Sequence, residues 1–213
     1  MTRSITVTGD GTAEAVPDLL TLTLAVEVRQ DTAARAYDDA ADVALTVTEA
    51  LRRRGVADGD LRTSGLNLRP DVVWVENQGQ KVTGYLASTD LVARVGPPHL
   101  APAAISAAIS AGGNSVRING IEQGFKDSSA VAALAQDAAW HDAEVKALRF
   151  ASLAGSRLGQ VLSIEQRPEH GMPVPVARDM TRTFAAEGVA IEPGTVAVSA
   201  SIVVTWELLA PEE

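Results

Sequence analysis

The chain has 213 residues, a formal net charge of −9, no cysteine, and a hydrophobic fraction of 46%. This length suits one large domain or two small ones. The absence of cysteine from this sequence excludes disulfides, thiolate metal sites and cysteine nucleophiles. The negative charge argues against nucleic acid or anionic membranes as partners.

The first predicted elements are two strands and a helix. Residues 7–11 read Val-Thr-Gly-Asp-Gly, which predicts a strand interrupted by a tight turn or bulge. Residues 20–28 then alternate between apolar and polar side chains, as in a strand with one buried face. Apolar residues at helical spacing follow over 36–51, and Gly55 predicts the end of that helix.

The next segment predicts a hairpin, a short helix and a strand. Residues 61–76 form a broken strand in which Gly65 and Pro70 indicate a bulge or an edge position. A turn at 77–80 leads to a return strand at 85–95. A helix over 100–109 and a strand near 116–121 complete this region.

Residues 18–125 therefore have the element order of a ferredoxin-like βαββαβ lobe. Right-handed crossovers would place both helices on one face of a four-stranded antiparallel sheet. The predicted fold class is α+β, with this lobe joined to a second α+β lobe that contains a long Ala-rich helix and antiparallel strands.

The second lobe is predicted from residues 126–213 together with the N-terminal strand, residues 1–17, and is therefore discontinuous. Its long helix runs to about residue 154 and carries a stripe of small side chains, Ala143, Ala147, Ala151 and Ala154. Strands follow at 161–165 and 196–208. The Pro- and Gly-rich segment 170–194 between them is expected to be a mobile arm or an interaction arm.

Several sequence blocks together resemble the SIMPL domain family, a mostly bacterial group. They are residues 5–18, 55–64, 84–85, 112–125, 143–159 and 193–194, in that order. The resemblance implies a two-lobed α+β protein that assembles into large rings. Relatives include periplasmic and outer-membrane-associated antigens, proteins linked to oxidative stress, and a mammalian signalling adaptor. The resemblance transfers no catalytic residue to this chain.

The long helix carries one pattern that resembles a metal site. Asp137, His141 and Glu144 share one helical stripe, which is the spacing of three ligands and is also typical of a solvated helix face. We favour the solvated face, because metal sites usually recruit a ligand from another element. His99 and His170 lie in Pro-rich loops, and nothing predicts that they approach this stripe.

Other candidate chemical motifs also have ordinary structural explanations. The glycines at 9 and 11 lack the lysine and following helix of a phosphate loop. Ser156 adjoins Gly155 after a helix, which indicates a helix C-cap and not a nucleophile elbow. Carboxylates early in an amphipathic helix more often complement its dipole than perform acid–base catalysis, and this applies to Asp38, Asp39 and Asp42.

Trp74 and Tyr85 are the candidate interface residues. They are expected to be neighbours across the predicted hairpin, where an aromatic pair would stabilise the sheet. If exposed, they would instead anchor a subunit interface, in which both residue types are enriched. Both interpretations stay open from sequence.

The leading functional hypothesis is a non-enzymatic, oligomeric scaffold or binding protein with a stress-related role. No catalytic, cofactor-binding or metal-binding residue is assigned, and no cofactor is expected. One alternative is a small-ligand-binding protein or enzyme with a site between the lobes. The other is an adaptor that docks a partner protein through 170–194.

No stretch approaches the ~18 apolar residues of a membrane span. If Met1 is the native start, the missing signal peptide predicts a cytoplasmic protein. If a signal peptide was removed, the protein is periplasmic or exported.

Overall fold

A computed structural model of the protein describes residues 3–76, 79–167, 174–176, 192 and 194–211. These residues form three α-helices and two antiparallel sheets, which confirms the α+β class. The elements, in chain order, are β1 (Ser4–Ala15), β2 (Leu19–Gln30), α1 (Ala33–Arg53), β3 (Leu61–Val75), β4 (Gly79–Val95), α2 (Ala101–Gly112), β5 (Val116–Gly124), α3 (Ser129–Leu153), β6 (Arg157–Gln166), β7 (Val174–Val176) and β8 (Thr195–Leu209).

The elements group into two compact units. The central unit holds β2, α1, β3, β4, α2 and β5, and its strand order β3-β4-β2-β5 is the ferredoxin-like arrangement predicted from sequence. Its core lies between the sheet and both helices. The side chains of β2 that face the helices have no solvent exposure, and they are Leu20, Leu22, Leu24 and Val26.

The ends of α1 follow from local sequence. The Thr32 hydroxyl caps its start by accepting a hydrogen bond from the Arg35 N–H at 3.3 Å. At its end, Gly55 adopts a φ of +90°, which a glycine reaches at little cost. The Val56 N–H then donates to the Leu51 carbonyl at 3.2 Å, so the chain leaves the helix through a Schellman motif.

The other unit consists of β1, α3, β6, β7 and β8, and is formed from both ends of the chain. Its strand order is β1-β8-β6, and β7 also pairs with β8. Helix α3 packs on one face of this sheet, mainly over β1 and β8. Trp140 of α3 and Trp206 of β8 meet in the core with ring centroids 5.8 Å apart.

The turn or bulge predicted at residues 7–11 is wrong. Strand β1 pairs with β8 without a register break from Ser4 to Ala15. Gly9 and Gly11 instead face α3, whose backbone lies against them. A β-carbon at Gly9 would lie 2.1 Å from the Ala139 carbonyl oxygen, and one at Gly11 would lie 2.2 Å from that of Ala135. The glycines therefore permit a close approach between helix and strand.

The small-residue stripe of α3 is the other half of this contact, and it packs within its own unit. Its buried members are Val131, Ala135, Ala139, Ala143, Ala147 and Ala151. Three predicted members of the stripe, Ala143, Ala147 and Ala151, are buried as expected, whereas Ala154 follows the end of α3 at Leu153 and is exposed.

The predicted arm at 170–194 lies outside the described residues except for 174–176, 192 and 194. Residues 174–176 form β7, a short strand that sequence periodicity did not indicate. The predicted domain boundaries, 18–125 for one lobe and 1–17 with 126–213 for the other, stay a prediction. Among the described residues, no helix combines the length and the apolar character that crossing a membrane requires.

Candidate interaction surface

The β3–β4 hairpin extends beyond the sheet that carries it. Strand β2 pairs with β4 only as far as Tyr85, whereas β3 and β4 continue to pair with each other up to Val75 and Gly79. We call residues 71–76 and 79–84 the hairpin arm. Within the described chain, the strands of this arm pair only with each other.

The hairpin arm exposes apolar side chains on both faces, with Gln80 opposite Trp74 on one face and Lys81 opposite Val73 on the other. Val72 lies opposite Val82, and Trp74 lies two residues further along the same face. Val73 and Val75 point to the other face. The exposed fraction is 76% for Trp74 and 50% for Val82. Single exposed apolar side chains are common on protein surfaces, but a cluster of them marks an interaction surface.

The base of the arm is held by Arg29, at the end of β2. One guanidinium nitrogen of Arg29 lies 2.5 Å from the Asp71 carboxylate and 3.0 Å from the Thr83 hydroxyl. Thr83 in turn donates a hydrogen bond to the Asp71 carbonyl at 3.2 Å. The β3–β4 register shifts between Asp71 and Val72. Arg29 therefore bridges both strands where the regular pairing is interrupted.

Trp74 and Tyr85 were expected to be neighbours across the hairpin, and this prediction is wrong. Trp74 lies opposite Gln80, and Tyr85 lies opposite Pro70. Tyr85 is partly buried and packs against a small cluster that includes Ala36 of α1. Their environments therefore differ: Trp74 is available for contact, whereas Tyr85 packs within its own unit. Whether either residue lies in an interface stays a prediction.

The candidate metal stripe lies on the solvent side of α3. Asp137, His141 and Glu144 are all exposed. No group of three or more His, Asp or Glu side chains within the described ranges has a geometry that could hold a metal ion. His99 is exposed in a short 3-10 turn, and His170 lies outside the described residues.

The other candidate residues have structural environments that match their ordinary explanations. Asp38 and Asp42 are exposed on α1, while Asp39 accepts a hydrogen bond from the Gln30 side chain at 2.5 Å. Ser156 follows Gly155, whose φ is +60°, and the Ser156 N–H donates to the Ala151 carbonyl at 2.9 Å. Ser156 thus belongs to the C-terminal cap of α3.

A polar cluster that the sequence analysis did not single out lies at the outer edge of β1. Lys146 of α3 donates to the Thr8 carbonyl at 3.0 Å, and the Asp10 N–H donates to the Asp142 carboxylate at 2.9 Å. Lys146 and Asp142 also form an ion pair at 2.5 Å. We call Asp142 and Lys146 the edge clasp. Their i, i+4 spacing on α3 is the only signal that sequence offers.

The edge clasp perturbs the ionisation of its own members. The hydrogen bond from Lys146 is the main reason that the pKa of Asp142 is lowered, and the Asp10 N–H adds to this effect. The same hydrogen bond raises the pKa of Lys146. Both groups therefore stay charged at neutral pH. Their chemical role is to occupy main-chain groups of β1 that none of the described strands pairs with, a known protection of sheet edges.

Comparisons with known proteins give one consistent result. The profile of the SIMPL family, described as a protein of unknown function (DUF541), matches residues 5–206. The 26 kDa periplasmic immunogenic protein of Brucella melitensis biotype 1 is 32% identical over 96% of this chain and 84% of its own length. The protein of the same name from Brucella abortus strain S19 is 31% identical over the same shares.

A solved structure of an amidase of the hydantoinase/carbamoylase family from Burkholderia phymatum is 17% identical over 57% of this chain and 30% of its own length. Its TM-score of 0.26 is too low to support any argument about fold or activity.

Proposed function

Because the chain belongs to the SIMPL family, we propose that it acts as a self-associating scaffold or binding protein and that the hairpin arm is one of its contact surfaces. The single observation that carries this proposal is the exposure of an apolar, two-stranded arm with Trp74 near its tip. An apolar arm of this length is costly to leave in water, since burial of such side chains stabilises by about 25 cal/mol per Å².

The shape of the arm favours a protein partner that surrounds it. A hairpin with one apolar face can be covered by a flat partner. Here Val72 and Val73 point to opposite faces, so a flat partner would cover only one of them. Burial of both faces requires a groove or contacts from two sides. The Arg29 bridge supports this role because it holds the base of the arm against the sheet and so reduces the flexibility that binding must remove.

We propose that this chain resides in the periplasm, the compartment given in the names of the two Brucella relatives. Both Brucella proteins are described as periplasmic, and the chain matches them over most of its length. A stress-related role, implied by the family resemblance, has no structural feature behind it and stays a prediction.

Sedimentation velocity of the wild type and of Trp74→Glu tests the proposed contact. The charged side chain should weaken assembly with little effect on folding, because Trp74 makes few contacts within the subunit. Leu45→Glu is the matched control, since Leu45 is a similarly apolar, exposed residue on α1, at 55% exposure. Circular dichroism checks that both variants are folded.

Three outcomes are informative. Loss of the assembly in Trp74→Glu but not in Leu45→Glu supports the arm as an interface. An unchanged assembly in Trp74→Glu removes the arm from the interface. A wild-type protein that stays monomeric at tens of micromolar overturns self-association itself.

A further inference from the structure

Within the described part of the chain, strand β6 has an unpaired outer edge and an apolar face that α3 leaves exposed. It is the terminal strand in the order β1-β8-β6, and none of the other described strands pairs with its outer edge. Val161 and Ile164 lie opposite Trp206 and Val204, two β8 residues of the core beneath α3, so they point to the α3 side of the sheet. They are nevertheless 39% and 58% exposed, because α3 packs over β1 and β8 and hardly reaches β6.

The two edges of this sheet differ in their chemistry. At β1 the edge clasp bonds to the Thr8 carbonyl and the Asp10 N–H. Strand β6 instead presents Val161, Leu162 and Ile164 to solvent. Charged groups at an edge discourage pairing with another chain, whereas an apolar edge invites it. Within the described residues, the edge clasp therefore occupies the β1 edge, whereas no strand occupies the outer edge of β6.

The outer residues of β6 are complementary to their own symmetry mates in the antiparallel direction. A two-fold axis through Val161 places Leu158 opposite the partner's Ile164 and Arg157 opposite the partner's Glu165. The first pair is apolar and the second has opposite charges, and each occurs twice. Leu158 and Ile164 both lie on the α3 side of the sheet, since they pair with Leu208 and Val204, so the faces also match.

The irregularities of β6 obey the same symmetry. Three residues of β6 span two of β8 from Leu158 to Val161, and again from Val161 to Ile164. A bulge in one strand alone discourages pairing at an edge. In this register the irregular segments of the two copies oppose each other at equal distances from the axis, so the faces of the outer pairs stay aligned.

From these observations we propose that β6 of one copy pairs antiparallel with β6 of a second copy about a two-fold axis at Val161, which joins the two sheets into one. The strand that pairs with β6 belongs to a second copy of this chain and not to an unrelated protein, because the outer residues of β6 are complementary to those of an antiparallel copy of itself. The proposal rests on the self-association proposed above and names a second contact for it. A two-fold contact alone gives only a dimer, so larger assemblies need a different interface as well, such as the hairpin arm.

The absence of cysteine permits a direct crosslinking test. In Val161→Cys the two thiols of a dimer meet at the axis, where facing Cα atoms lie at disulfide-forming distances. We expect mild oxidation to give a covalent dimer on the order of 10–100 times faster than in the control Leu45→Cys, because paired strands hold the thiols at millimolar effective concentration. Leu45 is exposed in the other unit.

A mixture of two variants tests the register. Leu158→Cys and Ile164→Cys should crosslink with each other when mixed. Neither should crosslink alone, since each residue is then about 20 Å from its symmetry mate along the strands. Circular dichroism of each variant confirms the fold before oxidation.

The outcomes separate the two proposals. A dimer from Val161→Cys together with the mixed crosslink supports the two-fold contact. If both crosslinks form no faster than in Leu45→Cys while wild type sediments as an oligomer, the β6 contact is wrong and self-association stands. A Val161→Cys dimer without the mixed crosslink overturns the proposed register. A monomeric wild type overturns both proposals.

Discussion

The contact between the glycines of β1 and the alanine stripe of α3 makes Gly11 a position where even one added methyl group should destabilise the unit. A β-carbon at Gly11 would lie 2.2 Å from the Ala135 carbonyl oxygen and 2.3 Å from the Ala139 nitrogen. Both are backbone atoms of a helix, so no side-chain rotation relieves the clash. Gly11→Ala therefore forces α3 and β1 apart by about 1 Å, and a gap of this size removes a quarter to a half of each dispersion contact along the stripe.

Overpacking of a core costs about 1–3 kcal/mol. We place Gly11→Ala at the upper end of this range, about 3 kcal/mol, because the obstruction is backbone. The lower entropy of the unfolded alanine chain offsets about 0.4–1 kcal/mol of that cost. The expected net loss in the free energy of unfolding is therefore roughly 2–2.6 kcal/mol. This loss is a large part of the stability of a typical domain.

Urea unfolding, followed by tryptophan fluorescence and by circular dichroism, measures this loss. Trp140 and Trp206 lie in the same unit as Gly11 and report on it directly. Gly120→Ala is the matched control, since a β-carbon there would have open space and no positive φ opposes it. We expect the control to lie within about 1 kcal/mol of wild type. A Gly11→Ala protein as stable as that control would refute the close-approach explanation.

Two further predictions concern the edge clasp and the arm. The pKa of Asp142 is lowered, so its stabilising contribution is present above its ordinary value and is lost as pH falls through the lower folded value. In Lys146→Met the NMR titration midpoint of Asp142 should rise toward the ordinary value, and an unchanged midpoint would show that Lys146 is not the cause. Arg29→Met should speed amide exchange in the arm (residues 71–76 and 79–84) by about two- to fivefold with little change in global stability, because exposed ion pairs contribute at most about 1 kcal/mol. Protection equal to wild type in the arm would contradict the role of Arg29 at its base.

Much of the fold was predictable because its strands and helices follow simple periodicities. The alternation over 20–28 is read correctly as β2, since every second side chain meets the same helices. The ferredoxin-like order follows from the element types alone, and the observed strand order confirms it. Gly65 was also read correctly, because it lies at a register shift of the edge strand β3.

The errors had two causes: a residue type that fits two local structures, and a strand whose start the sequence did not indicate. A glycine in a strand indicates either a turn or a close approach, and only the position of α3 decides in favour of the latter for Gly9 and Gly11. The predicted pairing of Trp74 with Tyr85 failed because β4 begins at Gly79, earlier than its alternation suggested. The hairpin is therefore longer, and its register places Gln80 opposite Trp74.

The surfaces were the least predictable part. The edge clasp bonds to residues of β1 that are more than a hundred positions away in sequence, and its own Asp–Lys spacing is common on exposed helices. The open edge of β6 follows only from the strand order, since its residues show no unusual pattern when the strand is considered alone. Sequence periodicity identifies which faces are apolar but does not show which of them stay uncovered.

Self-association is the central claim, and the mass of the wild-type particle tests it most directly. Light scattering coupled to size exclusion, at tens of micromolar protein, measures that mass without reference to shape. We predict a single species at an integral multiple, two or greater, of the 22.2 kDa chain. A particle of 22.2 kDa under these conditions would contradict the account, because both the hairpin arm and β6 would then lack the second copy proposed to cover them.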